Sequence, residues 1–252
     1  QKSGGYSTSA YYSVTTRFGT AEDFRVLVEE LHQAGIGVIL DWAPAQFPRY
    51  ASGLERFDGT PLYERQNPAE AIHPFWGTLL YNYGSPMVKD FLISNACFWA
   101  EVYHADGLRM DDVDAMLYLD YGRNPGEWTP NIYGTNENLD ALEFLKHLNS
   151  VIKERNPGLL LVAQENGLWP ELTDSVENDH LGFDYKWDMG WMNDTLDYFR
   201  IHPYDRKFHY HKLSFSIVLL CIQVMLFHAF KAFVADVMLD FAGIAICRLL
   251  VH

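Results

Sequence analysis

Residues 85–111 read SPMVKDFLISNACFWAEVYHADGLRMD, and they hold a helix, a turn and a strand in that order. Ser85-Pro86 starts the helix, since proline at the first helical position gives up only an N–H that has no intrahelical partner. Val88, Phe91, Leu92, Trp99 and Val102 supply its apolar stripe. Asp106-Gly107 then leads into Leu108-Arg109-Met110-Asp111, a short run that reads as a buried strand. Helix followed at once by strand is the repeating unit of a parallel α/β sheet.

The same unit lies on either side. Upstream, Thr20-Ala21-Glu22-Asp23 forms a capping box with Asp in the usual Glu place, and Phe24, Leu27, Val28 and Leu31 share one helical face. Gly35 ends that helix, and Gly37–Trp42 reads as a buried strand. Downstream, a helix follows Asn136 with Leu139, Leu142, Leu145, Leu148 and Ile152 on its stripe. It breaks at Asn156-Pro157-Gly158, and the strand 159–163 comes next. There is no internal repeat and no low-complexity linker. The fold class is α/β with a parallel sheet.

Each strand ends by running into polar residues: Asp41, then Arg109 and Asp111, then Gln164 and Glu165. In parallel α/β folds the active site sits at the C-terminal ends of the strands. One such Asp reads most simply as a helix cap. Three strands delivering polar groups to one rim point to a site.

Composition narrows the partners. The chain has 252 residues, 48% hydrophobic and 15% aromatic, enough for a sizeable core. A formal net charge of −14 excludes a phosphate-binding surface for nucleic acid, whereas a neutral polysaccharide is compatible with it. Cys97, Cys221 and Cys247 have no CxxC spacing, which suggests a reducing compartment, no disulfide framework and no zinc site. No signal peptide is visible, and a start at Gln1 rather than Met leads us to expect a fragment.

At the fourth-strand motif, Asp106 to Asp111, the sequence resembles the α-amylase superfamily of (β/α)8 barrels. More narrowly it is similar to the glycogen (1,4-α-glucan) branching enzymes. That resemblance is carried by Ala10-Tyr11-Tyr12, Thr16-Arg17-Phe18-Gly19, the run from Trp76 to Gly84, Met116 to Tyr121, Gly126-Glu127-Trp128, Asn138-Leu139 and above all GFDYKWDMGWMNDT at 182–195. It extends from about Gly5 to Phe215. The resemblance implies a partial (β/α)8 TIM barrel, about strands three to six, over residues 1–216, with a divergent tail at 217–252.

It also implies a chemistry: transfer of an α-1,4-glucan segment to a 6-hydroxyl, with retention, through a covalent glycosyl-enzyme. Asp111 takes the nucleophile position. Arg109 shares its strand face and can hold it ionised, while Asp41 anchors Arg109 and Tyr6 faces the sugar. The implied partner is an α-1,4-glucan, in the cytoplasm, with no metal, no cofactor, no nucleic acid and no membrane.

Three functional positions depart from the family. Gln46 stands where the family has His; it can bond a sugar hydroxyl but cannot become an imidazolium. Gln164 stands where the family has the acid/base Glu, and an amide has no proton to give. Glu165 is the possible substitute, provided a bulge re-aims it from the opposite strand face. The strand-seven motif His-Asp-Glu is absent from the sequence. Residues Leu220–Gln223 can be spelled by reading Phe-Ala-Tyr-Ser codons one base out of frame, so a frameshift near residue 217 is expected. The apolar run 213–230 has the length of a bilayer span but is diluted by Gln223 and His228, and we expect no membrane segment there. The rival to an impaired branching enzyme is a non-catalytic glucan-binding relative, with a membrane-attached protein further behind.

Overall fold

The Thr20 hydroxyl accepts from the Asp23 N–H at 3.2 Å while the Asp23 carboxylate accepts from the Thr20 N–H at 2.7 Å, so the capping box forms as read. It opens helix α1 (Ala21–Gln33), and Gly35, at φ 74°, lies just past its end. The computed structural model describes residues 5–50, 53–167, 169–170, 172–187 and 189–213. The tail 217–252, with the frameshift and membrane readings made for it, lies outside those residues.

Strand β1 spans Ile39–Trp42, two residues shorter than the expected Gly37–Trp42. The Val38 N–H is taken by the Asp106 carboxylate at 2.6 Å instead of a strand ladder, which explains the later start. A short antiparallel ribbon follows, made of β2 (Gln46–Phe47) and β3 (Leu79–Leu80), with helix α2 (Pro68–Ala71) between them. Helix α3 (Pro86–Tyr103) has Pro86 in its first turn, and β4 (Gly107–Met110) follows. Helix α4 (Val113–Leu117) precedes α5 (Leu139–Arg155), whose N-cap is Asn138. The remaining elements are β5 (Leu160–Gln164), β6 (Tyr185–Trp187) and α6 (Met189–Arg200).

The four longer strands form one parallel sheet in the order β1-β4-β5-β6. This is a partial (β/α) barrel, four successive strands with their connecting helices. Helix α3 packs against both α1 and α5. Leu108, Met110 and Leu161 of the sheet are fully buried, as are Leu92 of α3 and Phe144, Leu145 and Leu148 of α5. Gly107 is where the strands pinch: a Cβ there would lie 2.9 Å from the Leu160 carbonyl oxygen. The α1 stripe is less covered than its pattern predicts. Val28 is buried but Leu27 remains 40% exposed, because β1 is the edge of the described sheet and offers α1 fewer neighbours.

The register fixes what reaches the rim. Asp41 of β1 pairs with Arg109 of β4, and Gln164 of β5 pairs with Trp187 of β6. Asp111 follows β4 by one residue, and its N–H bonds the Trp42 carbonyl at 2.8 Å. Among the described residues, no helix is long and apolar enough to cross a membrane.

Candidate active site

Arg109 is the hub. Its Nε donates to Asp41 Oδ1 at 2.6 Å and its Nη2 to Asp41 Oδ2 at 3.1 Å, the two-point fit that guanidinium and carboxylate planes favour. Nη2 also donates to Asp111 Oδ1 at 3.1 Å and to the Tyr6 hydroxyl at 2.8 Å, and Nη1 donates to Gln164 Oε1 at 2.6 Å. Tyr6 passes its own proton toward Asp41 Oδ2 at 2.6 Å. The Trp187 ring covers the guanidinium, whose carbon is 5.6 Å from the ring centroid. Three strand ends and one upstream segment thus meet on one planar cation.

Electrostatics follow from this fork. Burial alone would lower the Arg109 pKa; the Asp41 hydrogen bonds, then the Asp41 and Asp111 charges, outweigh that and hold it above its ordinary value. Burial also pushes the Asp111 carboxyl up to about 6, against the pull of Arg109 and with help from the charges of Asp112 and Asp41. Asp111 is therefore mostly a carboxylate at neutral pH, the form a nucleophile needs.

Gln46 and Glu165 lie elsewhere. Gln46 is buried in the β2–β3 ribbon, where its Oε1 accepts from the Thr78 hydroxyl. Glu165 is fully buried, and no bulge re-aims it; alternation along the chain sends it away from Gln164, as strand geometry dictates. Its Oε2 accepts from Lys186 Nζ at 2.6 Å, and the same ammonium reaches the Gly167 carbonyl at 2.6 Å.

Behind the rim sit two buried groups that the sequence reading missed. Asp112 follows Asp111 in the left-handed region at φ 58°, a conformation a non-glycine residue adopts at a cost. His73 and Tyr121 hold it there: His73 Nε2 bonds Asp112 Oδ2 at 2.8 Å, and the Tyr121 hydroxyl donates to Oδ1 at 3.0 Å. His73 Nδ1 accepts the backbone N–H groups of Phe75 and Trp76, at 3.3 and 3.4 Å, so the ring proton facing Asp112 sits on Nε2. The Asp-Asp doublet directly after a strand was the available signal.

The second group is Asp114, which accepts from Asn166 N at 2.9 Å and from Asn166 Nδ2 at 2.9 Å. Burial, then the neighbouring Glu165 carboxyl, drives the Asp114 pKa well above the usual carboxylate range. An acid whose pKa is raised on folding favours the folded state only while protonated. Stability from it is full below the unfolded value of 3.8 and declines as pH rises toward the raised folded value. The substitution Asp114→Asn keeps an acceptor for Asn166 and removes the charge. It is expected to make the chain more stable than the parent at pH 8, with the gap shrinking toward pH 4. Urea unfolding at the two pH values checks this, and a gap independent of pH contradicts it. Among the described residues, no group of three or more His, Cys, Asp or Glu side chains could hold a metal ion.

With this geometry in view, the relatives are informative. The family profile "Alpha amylase, catalytic domain" matches residues 1–45. The 1,4-α-glucan branching enzyme of Thermobifida fusca is 53% identical over 214 residues, which is 85% of this chain and 29% of that protein. The namesake enzyme of Methylococcus capsulatus is 52% identical over the same shares, 85% and 29%. The chain therefore spans about a third of the length of these curated relatives. Among solved structures, an α-amylase from Lactobacillus plantarum superposes with a TM-score of 0.53 at 19% identity, over 77% of this chain and 42% of that one. That likeness establishes the barrel fold; the sequence identity narrows it. This chain belongs to the 1,4-α-glucan branching enzyme family of the α-amylase superfamily.

Proposed function

We propose that this chain is the central part of the catalytic barrel of a glucan branching enzyme, over residues 1–216, and that it binds α-1,4-glucan while forming few or no branches. The observation that supports this best is the Arg109 fork, which joins Asp41, Asp111, Tyr6 and Gln164. Asp111 is the carboxylate nucleophile and Arg109 fixes its orientation. Asp41 neutralises Arg109, and Tyr6 lines the sugar subsite. Gln164 occupies the acid/base position and can bond the glycosidic oxygen without protonating it. We assign no acid role to Glu165, because Lys186 binds it in the interior. Gln46 stays a candidate sugar contact, reached once Thr78 yields its bond. The cytoplasm is the compartment in which such a glucan would be met, and it fits the cysteine usage.

The non-catalytic glucan-binding reading draws on the same amide. Gln164 keeps the hydrogen bond to Arg109 that the site's geometry needs but cannot supply a proton. Both readings require binding. Malto-oligosaccharide added to the full chain is expected to bind saturably, and Trp76→Ala to weaken it by roughly tenfold, about 1.4 kcal/mol. Trp76 is 67% exposed, so its removal spares the core. Calorimetric titration without saturation rejects both readings.

A further inference from the structure

We propose that His73 is a positioning residue with two separable tasks: its Nε2 side sets Asp111 through Asp112, and its Nδ1 side seats the exposed Phe75–Trp76 turn that a glucan chain meets. This rests on the nucleophile and glucan-binding roles proposed above and adds the residue that ties one to the other.

The Nε2 side acts on the strand end. Asp112 has φ 58° directly after Asp111, and this turns the chain from β4 into α4. A residue with a Cβ pays for that conformation, so it persists only where the surroundings hold it. The His73 bond at 2.8 Å is one restraint and the Tyr121 bond at 3.0 Å is the other. Relaxation of Asp112 would rotate the carboxylate one residue before it. Asp111 is exposed to that, because Arg109 Nη2 reaches its Oδ1 at only 3.1 Å.

The Nδ1 side acts on a surface. It accepts the N–H groups of Phe75 and Trp76 at 3.3 and 3.4 Å. Those two side chains are 64% and 67% exposed, whereas the imidazole that anchors them is wholly buried. The Phe75 ring also stands edge-on to Tyr121, with centroids 5.6 Å apart. Gly122 closes against it from behind, since a Cβ there would come within 2.7 Å of the Phe75 ring. A flat apolar ring already held in place loses little freedom when the apolar face of a glucose unit stacks on it. An imidazole with its proton on Nε2 performs both tasks, donating on one side and accepting on the other.

Two amide variants separate the tasks, because an Asn amide lies near the place of Nδ1 and a Gln amide near that of Nε2. The assay uses the full chain carrying Gln164→Glu, with amylose as substrate. His73→Asn keeps an acceptor for the turn but frees Asp112. It should lower kcat by roughly 100-fold, the cost of about 1 Å of misplacement, with little effect on KM. His73→Gln keeps the donor to Asp112 but frees the turn. It should raise KM by roughly tenfold, as Trp76→Ala weakens binding, with little effect on kcat. Amide exchange at Phe75 and Trp76, read without glucan, should quicken several-fold in His73→Gln but not in His73→Asn. Equal losses of kcat and KM in both variants, a reversed split, or no change in either would each overturn the proposal and leave the ring as ordinary packing. If the Gln164→Glu chain cleaves nothing, the branching reading fails by itself. Exchange that still differs between the two variants then supports the tie through His73, and exchange alike in both overturns it.

Discussion

Replacing Gln164 with Glu is expected to raise cleavage of α-1,4-glucan by roughly 100-fold over the parent chain. A positioned general acid typically contributes about 10²–10⁴-fold, and the lower end of that range is the expected gain. The substitution changes an amide for a carboxyl of nearly the same shape, so the bond to Arg109 Nη1 can persist. Two acids then hang on one guanidinium. Asp111 already sits high, pushed up to about 6 by burial, and a second carboxyl beside it disfavours the doubly ionised state. One group carrying a proton while the other is ionised is the division of labour a retaining glycoside site uses. Reducing-end release from amylose measures the gain, with Gln164→Asn as the control that should stay at background. Equal rates for Gln164→Glu and the parent would show that the missing proton is not what limits this site.

Arg109→Met should destabilise the fold by about 3–5 kcal/mol, the usual cost of removing one partner from a buried ion pair. Methionine keeps much of the apolar stem and deletes the guanidinium. Asp41, whose side chain is only 13% exposed, is then left charged in a place that cannot solvate it well. Asp111, Tyr6 and Gln164 lose the same partner. Three strand ends and the segment at Tyr6 would no longer share an anchor. The urea midpoint should fall with an unchanged slope, the sign of lost stability rather than altered compactness. Arg109→Lys should land between, since an ammonium restores the charge but not the fork. A loss under about 1 kcal/mol would mean that the fork is not a structural hub.

How much of this was legible from residues alone depends on whether the cause is local. Thr20 and Asp23 announce the start of α1 because a capping box lies within one turn. The strand ends at Asp41, Arg109 and Gln164 were visible because apolar runs stop there. The length of β1 was not, because Val38, one of its two missing residues, gives its N–H to Asp106, some seventy positions on. The cluster of His73, Asp112 and Tyr121 escaped notice for the same reason, although Tyr121 lay in a run quoted for its resemblance. Their meeting is a tertiary event, and a lone His in a loop carries no periodic signal. Lys186 and Trp187 sat inside a segment quoted only for its resemblance, and only the parallel pairing of β5 with β6 brings them to Glu165 and Arg109. Glu165 shows the reverse: strand alternation alone sent it inward, and the structure keeps it there.

The measurement that bears most directly on the central claim is linkage analysis of amylose after exposure to the Gln164→Glu chain, by the anomeric proton signals of α-1,4 and α-1,6 bonds. New α-1,6 signals that the parent chain does not produce are the predicted result. Shortened α-1,4 chains with no α-1,6 signal would contradict it, because the site would then be that of a hydrolase; an unaltered spectrum would contradict it more deeply, by denying Asp111 its part in glucan chemistry.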